Sequence, residues 1–413
     1  MQSLYYSLVK KIEHHYKIDA HYFLRGGFWL TIGQVITLAS GLATTALFAH
    51  FLTTNDYGTY KYLVGMATIL ASFSLTGLGQ SILQTAAKKY YAFFKETFKL
   101  NFLYSLSISL ISFVCSLYYW FNHNSLLALG CLMIAILQPI INAFQFVPSF
   151  LQGSGQLQAA TKLHALRMFF ITLLSLGSLL LTKDIRILFL VYLLSYAITN
   201  IASIFFYNYH SAPTPREVRE KFILYAKHTS IRNLVSNVAQ RADNIVIFTQ
   251  LGATELAVYS IAMVIPEQIK SSFKNLATLL LPKYSKHEGL SVIKKSLLKR
   301  SVQLFSILLI ISIIYILLSP LIFTLLFPKY MGAVLYTKIL ALSFPAIVAL
   351  IPVSALQANL EEKKLYKLLI IESVISVVLL ILLTFKFGLL GAIIAKVSTR
   401  YITSIFNFYY LYK

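Results

Sequence analysis

The chain alternates between apolar runs of about 20 residues or more and short polar segments. A bilayer core about 30 Å thick needs roughly 20 apolar residues per helix at 1.5 Å rise each. The runs predict twelve spans. The first six are Gly27–Leu52, Thr59–Leu83, Phe98–Phe121, Leu126–Leu151, Leu163–Thr182 and Ile187–Tyr207. The second six are Thr229–Leu251, Leu256–Leu281, Ser301–Phe327, Ala333–Leu356, Leu368–Phe385 and Gly388–Leu411. Spans seven and eight are the least apolar, and a ten-span alternative would omit them. The longest polar interruption, His210–Lys227 with Pro213 and Pro215, divides the spans six and six. The expected organisation is a polar, amphipathic N-terminal segment (1–25), a first lobe (26–208), an inter-lobe linker (209–228) and a second lobe (229–413). Within the first segment, Leu4, Leu8, Val9 and Ile12 oppose Lys10, Lys11 and Glu13, a pattern suited to lying along a membrane surface.

A repeat supports keeping twelve spans. At an offset of 199 residues, Leu52-Thr-Thr-Asn-Asp56-Tyr-Gly58-Thr-Tyr60 aligns with Leu251-Gly-Ala-Thr-Glu255-Leu-Ala257-Val-Tyr259. Leu, acid, small residue and Tyr coincide, and Gln34 falls opposite Asn233. Six spans per half is even, so both halves enter the membrane the same way. Parallel repeats of this kind place a substrate path between the halves.

Composition narrows the class. The chain of 413 residues is 58% hydrophobic and 12% charged, with mean hydropathy +0.72. Soluble domains are about 25% charged, so an ordinary globular enzyme and a disordered chain are both excluded. Thirty-six Lys and Arg against 14 Asp and Glu leave a net charge of +22. The bases lie between apolar runs, which points to a membrane surface and not to nucleic acid. With the N-terminal side taken as one face, 24 bases lie there, and only Lys183, Arg186, Lys329 and Lys386 lie on the other. The positive-inside rule then places both termini in the cytoplasm. The remaining eight, Lys61, Arg232, Arg241, Lys270, Lys274, Lys338, Lys396 and Arg400, fall within or at the edges of spans. Cys115 and Cys131 sit singly in apolar runs, and no histidine clusters with Cys or carboxylates, so neither a disulfide framework nor a metal site is expected. No P-loop is present, no cofactor is implied, and the outer loops are too short for a glycan-transferring domain.

Ionisable groups inside spans are costly and generally face a cavity or a partner. In span seven Asn233, Asn237, Gln240 and Asn244 share one helical face, flanked by Arg241 on one side and Asp243 on the other. They read as a wet, amide-lined wall, with inter-helix hydrogen bonding as the alternative. In span eight Glu267, Lys270 and Lys274 share a face just after Pro266, which frees the carbonyl four residues earlier. Here the choice is between a phosphate-holding pair beside a proton-exchanging carboxylate and a local Glu267–Lys270 pair with Lys274 snorkelling. Span one adds Gln34, Thr37, Gly41 and Thr45, with Arg25 at its mouth, and Lys61 opens span two. Prolines interrupt span four (Pro139, Pro148) and span ten (Pro345, Pro352) at corresponding places, as bending elements would. Glu372 and Arg400 lie at similar depth across the turn at Gly388, so an ion pair stitching that hairpin is expected, with a proton site as the alternative.

Arg25-Gly-Gly-Phe28, then Phe51-Leu-Thr-Thr-Asn-Asp-Tyr-Gly-Thr-Tyr60, resembles the start of polysaccharide-biosynthesis flippases of the Wzx type. Asp243-Asn-Ile-Val-Ile247, Val258-Tyr-Ser-Ile-Ala262 and Leu281-Pro-Lys-Tyr-Ser285 resemble the start of their second half, and Phe387-Gly-Leu-Leu-Gly-Ala392 their last hairpin. On the matched motifs the resemblance singles out Tyr57, Gly58, Asp243, Tyr259 and Pro282; Ala257 stands where the family commonly has Gly. It implies the multidrug/oligosaccharidyl-lipid/polysaccharide exporter (MOP) superfamily: all-α, polytopic, with about twelve membrane helices in two six-helix lobes forming a V. It implies transport of an undecaprenyl-diphosphate-linked oligosaccharide across a bacterial inner membrane, for O-antigen, capsule or exopolysaccharide. Membrane lipids, glycosyltransferases and a glycan polymerase are the implied partners. On that expectation Arg25, Lys61, Arg241, Lys270 and Lys274 neutralise the diphosphate. Gln34, Asn233, Asn237, Gln240 and Asn244 meet sugar hydroxyls, and Asp243 or Glu267 couples an ion. The alternatives are a multidrug or small-molecule antiporter of the same superfamily, a glycan polymerase or ligase, and a non-transporting scaffold.

Overall fold

The computed structural model describes residues 20–206, 213–278, 290–359 and 361–413. Those residues are nearly all helical. The first lobe comprises α1 (Ala20–Phe51), α2 (Thr54–Ala71), α3 (Leu78–Ala87), α4 (Ala92–Phe121), α5 (Ser125–Phe144), α6 (Val147–Gly153), α7 (Leu157–Leu181) and α8 (Ile185–Ser203). The second comprises α9 (Arg216–Leu251), α10 (Ala253–Thr278), α11 (Leu290–Leu326), α12 (Ala333–Ala341), a 3-10 segment Phe344–Ala349, α13 (Leu350–Ala358) and α14 (Glu362–Tyr412). Gly388 (φ 59°, ψ −141°) breaks α14 into two arms, the last two crossings, in a conformation that favours glycine. The expected surface helix near residues 4–16 lies outside the described residues, as do Leu281–Ser285. Of the expected linker, the portion from Arg216 onward forms the first turns of α9.

Seven of the described helices are apolar and long enough to cross a bilayer on composition alone. An eighth crossing counts if α12 and the following segment, bent by 41°, are taken together. The α14 hairpin passes that test as one helix although its break makes two crossings. The segments that fail it, α2 with α3, α9 and α10, are those packed between the lobes, where polar side chains find protein partners. The lipid-facing surface carries the reverse pattern: Leu110, Leu180, Leu317, Leu325 and Phe385 all point outward. In hydrocarbon such residues need no further burial, while backbone polar groups must be satisfied internally.

The prolines show how that is done. Pro139 leaves the Ala135 carbonyl without its helical donor, and Ser109 Oγ on α4 donates to it at 2.6 Å. Pro345 does the same to Ala341 in the second lobe, and Ser312 Oγ on α11 donates at 2.7 Å. Pro266 frees Ala262, which accepts from Thr337 Oγ1 at 2.9 Å. Each proline frees a carbonyl, and a hydroxyl on a neighbouring helix completes the backbone. Span four is interrupted at 145–146, just before Pro148, and span ten at 342–343, just before Pro345, while Pro139 lies inside the continuous α5. Span two is also broken, at 72–77, without a proline. Its freed Ala71 carbonyl accepts from Asn142 Nδ2 at 3.2 Å, and the same amide reaches Ser74 Oγ at 2.9 Å. A run of Ser72, Ser74, Thr76 and Gly77 was the available signal.

Candidate functional site

The two lobes meet along a seam formed mainly by α2 and α3 against α9 and α10. Small residues bring the backbones close. A Cβ on Gly58 would stand 1.8 Å from the Ala253 carbonyl oxygen, and one on Gly65 would stand 2.4 Å from Asn244 Nδ2. The two loops matched by the internal repeat thus touch each other at Gly58 and Ala253. Ala257, where the family commonly has Gly, is fully buried. Further along, Gly77 N donates to Ser230 Oγ at 2.9 Å, and Ser81 Oγ donates to the Phe222 carbonyl at 3.0 Å. Phe222 and Ala226, at the start of α9, are buried in the first lobe's core with Leu78, Phe93 and Phe150. Span seven therefore leans on one lobe at its start and on the other at its end.

This geometry corrects the reading of the span-seven amides. Asn233 donates to Thr76 Oγ1 at 3.3 Å and Asn237 to Ser72 Oγ at 3.0 Å, both on the broken second span. Asn244 packs on Gly65. These three, each partly buried, make inter-helix contacts across the seam in this conformation, the alternative reading of that face. Gln240 is exposed, donates to Ser236 Oγ at 2.8 Å, and lines a cavity. Gln34 reaches across the lobes to Ser271 Oγ at 3.4 Å. On the far side, Lys329 Nζ donates to the carbonyl oxygens of His50 and Leu52 at the end of α1.

The charges gather in the second lobe. Asp243 is buried. Its Oδ2 accepts from Lys396 Nζ at 2.9 Å and from the Tyr259 hydroxyl at 2.8 Å. Glu267 pairs with Arg400 Nη2, and Arg400 Nη1 donates to Ser343 Oγ at 2.7 Å, at the break in span ten. The expected Glu372–Arg400 pair is therefore not formed. Similar depth across the hairpin fixes height along the helix but not direction round it, and Glu267 on α10 holds the guanidinium instead. Nor is the Glu267–Lys270 pair within ion-pair distance.

Between α9, α10 and both arms of α14 lies a small cavity of about 80 Å³, partly continuous with solvent. Lys270, Glu372, Lys396 and Arg400 line it with Gln240, Ser236, Ser373, Ser376 and Thr399. Arg241 is exposed, within electrostatic range of Glu267 and of Lys61, whose ammonium sits 5.2 Å from the Tyr57 ring. Lys274 lies one turn beyond Lys270 and is exposed; Arg25 lies in the first turns of α1. The sequence reading missed Lys396 and Thr399 as cavity residues. The signal was present: Lys396 and Arg400 share a face of the last span at spacing four. Five cations (Lys61, Arg241, Lys270, Lys396, Arg400) face three carboxylates (Asp243, Glu267, Glu372), so the region carries a positive surplus.

Comparison with known proteins places this architecture. A family profile described as polysaccharide biosynthesis protein matches residues 23–288. No curated protein sequence matches the chain. Among solved structures, a lipid II flippase, MurJ, in an inward closed conformation superposes with a TM-score of 0.68 at 14% identity, covering 93% of this chain and 87% of that one. An inward-facing multidrug resistance MATE transporter of the MOP superfamily superposes at 0.62 and 16% identity, covering 94% and 97%. A MOP superfamily transporter from Pyrococcus furiosus superposes at 0.57 and 14% identity, covering 95% and 94%. At such identities these likenesses establish the fold. With that fold and a profile match over more than half of its length, the chain belongs to the polysaccharide biosynthesis protein family of MOP-fold membrane proteins.

Proposed function

We propose that the protein is a flippase that carries an undecaprenyl-diphosphate-linked oligosaccharide from the cytoplasmic to the outer leaflet of a bacterial inner membrane. The observation that carries this reading is the positive surplus between and beside the lobes. A diphosphate cannot enter hydrocarbon unaided, and a polar, cationic enclosure offsets most of its desolvation cost. A cationic drug would meet repulsion in the same place, which weighs against the antiporter alternative. Family membership supplies the polysaccharide context, and a lipid II flippase shares the fold. The lipid tail stays in the bilayer while the headgroup passes between lobes that rock about the seam. Release of the Asn233–Thr76 and Asn237–Ser72 bonds would turn those amides toward the passage, where they could meet sugar hydroxyls. Both termini lie in the cytoplasm, and the glycan arrives from glycosyltransferases and leaves to a polymerase. Of the two coupling candidates, Glu267 is the accessible one: its side chain is 41% exposed, against 8% for Asp243.

The test is flipping in proteoliposomes loaded with a fluorescent undecaprenyl-diphosphate oligosaccharide, read as accessibility to an external quencher or glycosidase. Wild-type protein should accelerate exchange between leaflets, and Arg241→Ala with Lys270→Ala should remove most of that rate. Full flipping by correctly inserted double variants would sink the cationic-passage assignment. Transport of organic cations without lipid exchange would favour the antiporter.

A further inference from the structure

The two corners matched by the internal repeat finish their first helices differently. At the α9–α10 corner, Gly252 (φ 93°) donates its N–H to the carbonyls of Ile247 at 3.2 Å and Phe248 at 3.0 Å, so that helix is capped from within its own lobe. Thr53 stands 199 residues earlier, in extended backbone (φ −70°, ψ 159°). Its hydroxyl caps α2 instead, accepting from Asp56 N at 3.1 Å. The last carbonyls of α1 are served from the other lobe: Lys329 Nζ donates to that of His50, and to that of Leu52 at 3.4 Å. A cation there also meets the negative end of the helix dipole. No carboxylate lies within ion-pair distance of Lys329 among the described residues, and Lys329 and His50 are both exposed. Such a bond exchanges readily with water and is worth little alone. That suits a contact that must reopen.

The next residue pulls the other way. Leu52 and Tyr57 of the first lobe and Phe327 and Tyr330 of the second are buried in one apolar cluster that crosses the seam. The Tyr330 ring meets that of Tyr57 edge-on, with centroids 6.2 Å apart. The Tyr330 hydroxyl is buried with no hydrogen-bond partner. A buried donor without an acceptor is costly, and the cost is relieved once water reaches it. Parting the lobes at this end withdraws Tyr57 from Tyr330 and admits water.

We infer that Lys329 and Tyr330 act as a latch and a spring at the end of the seam away from the N-terminal face, the ammonium holding α1 to the second lobe and the unpaired hydroxyl favouring release. The inference rests on the proposed reading that the lobes alternate, and not on the identity of the cargo. Both residues lie in one 3-10 turn, Pro328–Tyr330, so one short piece of the second lobe carries the two opposed contributions. Their balance sets how often this end opens.

The experiment measures the open fraction at this end for the full chain in nanodiscs, from distances between spin labels on the two lobes, with lipid flipping assayed on the same proteins in liposomes. Lys329→Met keeps the stem and removes the donors, and the open fraction should rise severalfold. Lys329→Arg keeps donors and should stay near wild type. In the Lys329→Met background, where the open form is populated, Tyr330→Phe should lower the open fraction about tenfold, as removal of a buried unpaired hydroxyl does. Opposite signs at neighbouring residues separate a gate from simple damage, which would move both the same way. An open fraction that ignores Lys329→Met, or that Tyr330→Phe raises, would overturn the latch. Distances that shift as expected while no variant flips lipid would leave the latch standing and sink the flippase reading. Flipping by wild type, with one distance distribution shared by all the variants, would have the reverse meaning.

Discussion

The two lobes solve one backbone problem in the same way and then part company in their electrostatics. In each, a proline in the fourth span of the half frees a carbonyl, and a serine from the preceding span caps it: Ser109 on Ala135, Ser312 on Ala341. Around those sites the first lobe is built of amides, with one cation, Arg167, whose Nη1 donates to Asn200 Oδ1 at 3.0 Å, and no ion pair among the described residues there. Asn142 reaches Ala71 and Ser74, Gln138 donates to Asn142, Asn101 donates to the Asn142 carbonyl, and Asn200 donates to that of Ile141. The corresponding region of the second lobe is ionic, with Arg400 on Ser343 and Glu267, and Lys396 on Asp243. The lesson is a division of labour. Neutral amides can complete a broken helix at low cost, so charge is not needed for bending. Where charge is present, it needs a second reason, and on the function proposed above that reason is an anionic cargo.

The largest effect should come from breaking a buried ion pair. Asp243→Asn leaves Lys396 half-enclosed without its carboxylate, and removing one member of such a pair costs about 3–5 kcal/mol. The thermal midpoint of the purified protein should fall sharply. The double variant Asp243→Asn with Lys396→Gln should recover more than half of the loss, because no charge is then left unpaired. Equal losses in the single and double variants would show that the pair is not coupled, and the contrast between the lobes would weaken.

Next is the seam. Gly58→Val places carbons where the Ala253 carbonyl already stands. Overpacking of a close contact costs about 1–3 kcal/mol, and here the strain can be relieved by parting the lobes. Surface-glycan export should fall, and the lobes should separate at that end in distance measurements between spin labels on α2 and α10. Asn142→Leu in the first lobe should cost less than Asp243→Asn. Its amide makes several inter-helix bonds, each worth on average about 0.6 kcal/mol in a membrane, so roughly 1–2 kcal/mol is at stake. Flipping should survive where the folded protein is recovered. Loss of flipping by a stable Asn142→Leu variant would give the first lobe a chemical part that the comparison denies it.

The same contrast explains what could be read from the chain alone. Lipid-facing helices announce themselves, since every face can be apolar, and Gly388 marked the last turn because the break there needs positive φ. The breaks in spans four and ten followed from proline, which removes a donor wherever it sits in a helix. Partner choice did not follow. Helical spacing puts Asn233 and Asn237 on one face but does not say whether that face meets water or another helix. Thr76 and Ser72, the acceptors, sit in a break that no proline signals. Arg400 was matched to Glu372 by depth across a hairpin, while Glu267 comes from a helix more than a hundred residues away in sequence. Lys396 appeared only as one of eight bases within or at the edges of spans, because its carboxylate, Asp243, lies on α9.

The smallest expected effect tests the shared part of the design. Ser109→Ala and Ser312→Ala each leave one proline-freed carbonyl without its hydroxyl, in geometries of 2.6 Å and 2.7 Å. Each should cost roughly 0.6 kcal/mol, the typical inter-helix bond in a bilayer, and at most about 1.7 kcal/mol. The costs should match if the two capped carbonyls are one device used twice. Thermal midpoints measured side by side in the same detergent decide it. A second-lobe serine that costs far more than its counterpart would mean that the break at Ser343 leans on Arg400. In that case the ionic network would be part of the hinge as well as of the cavity, and anion binding would bend span ten directly. Matched costs would leave the charges free of any structural duty at the break and tie them to the cargo alone.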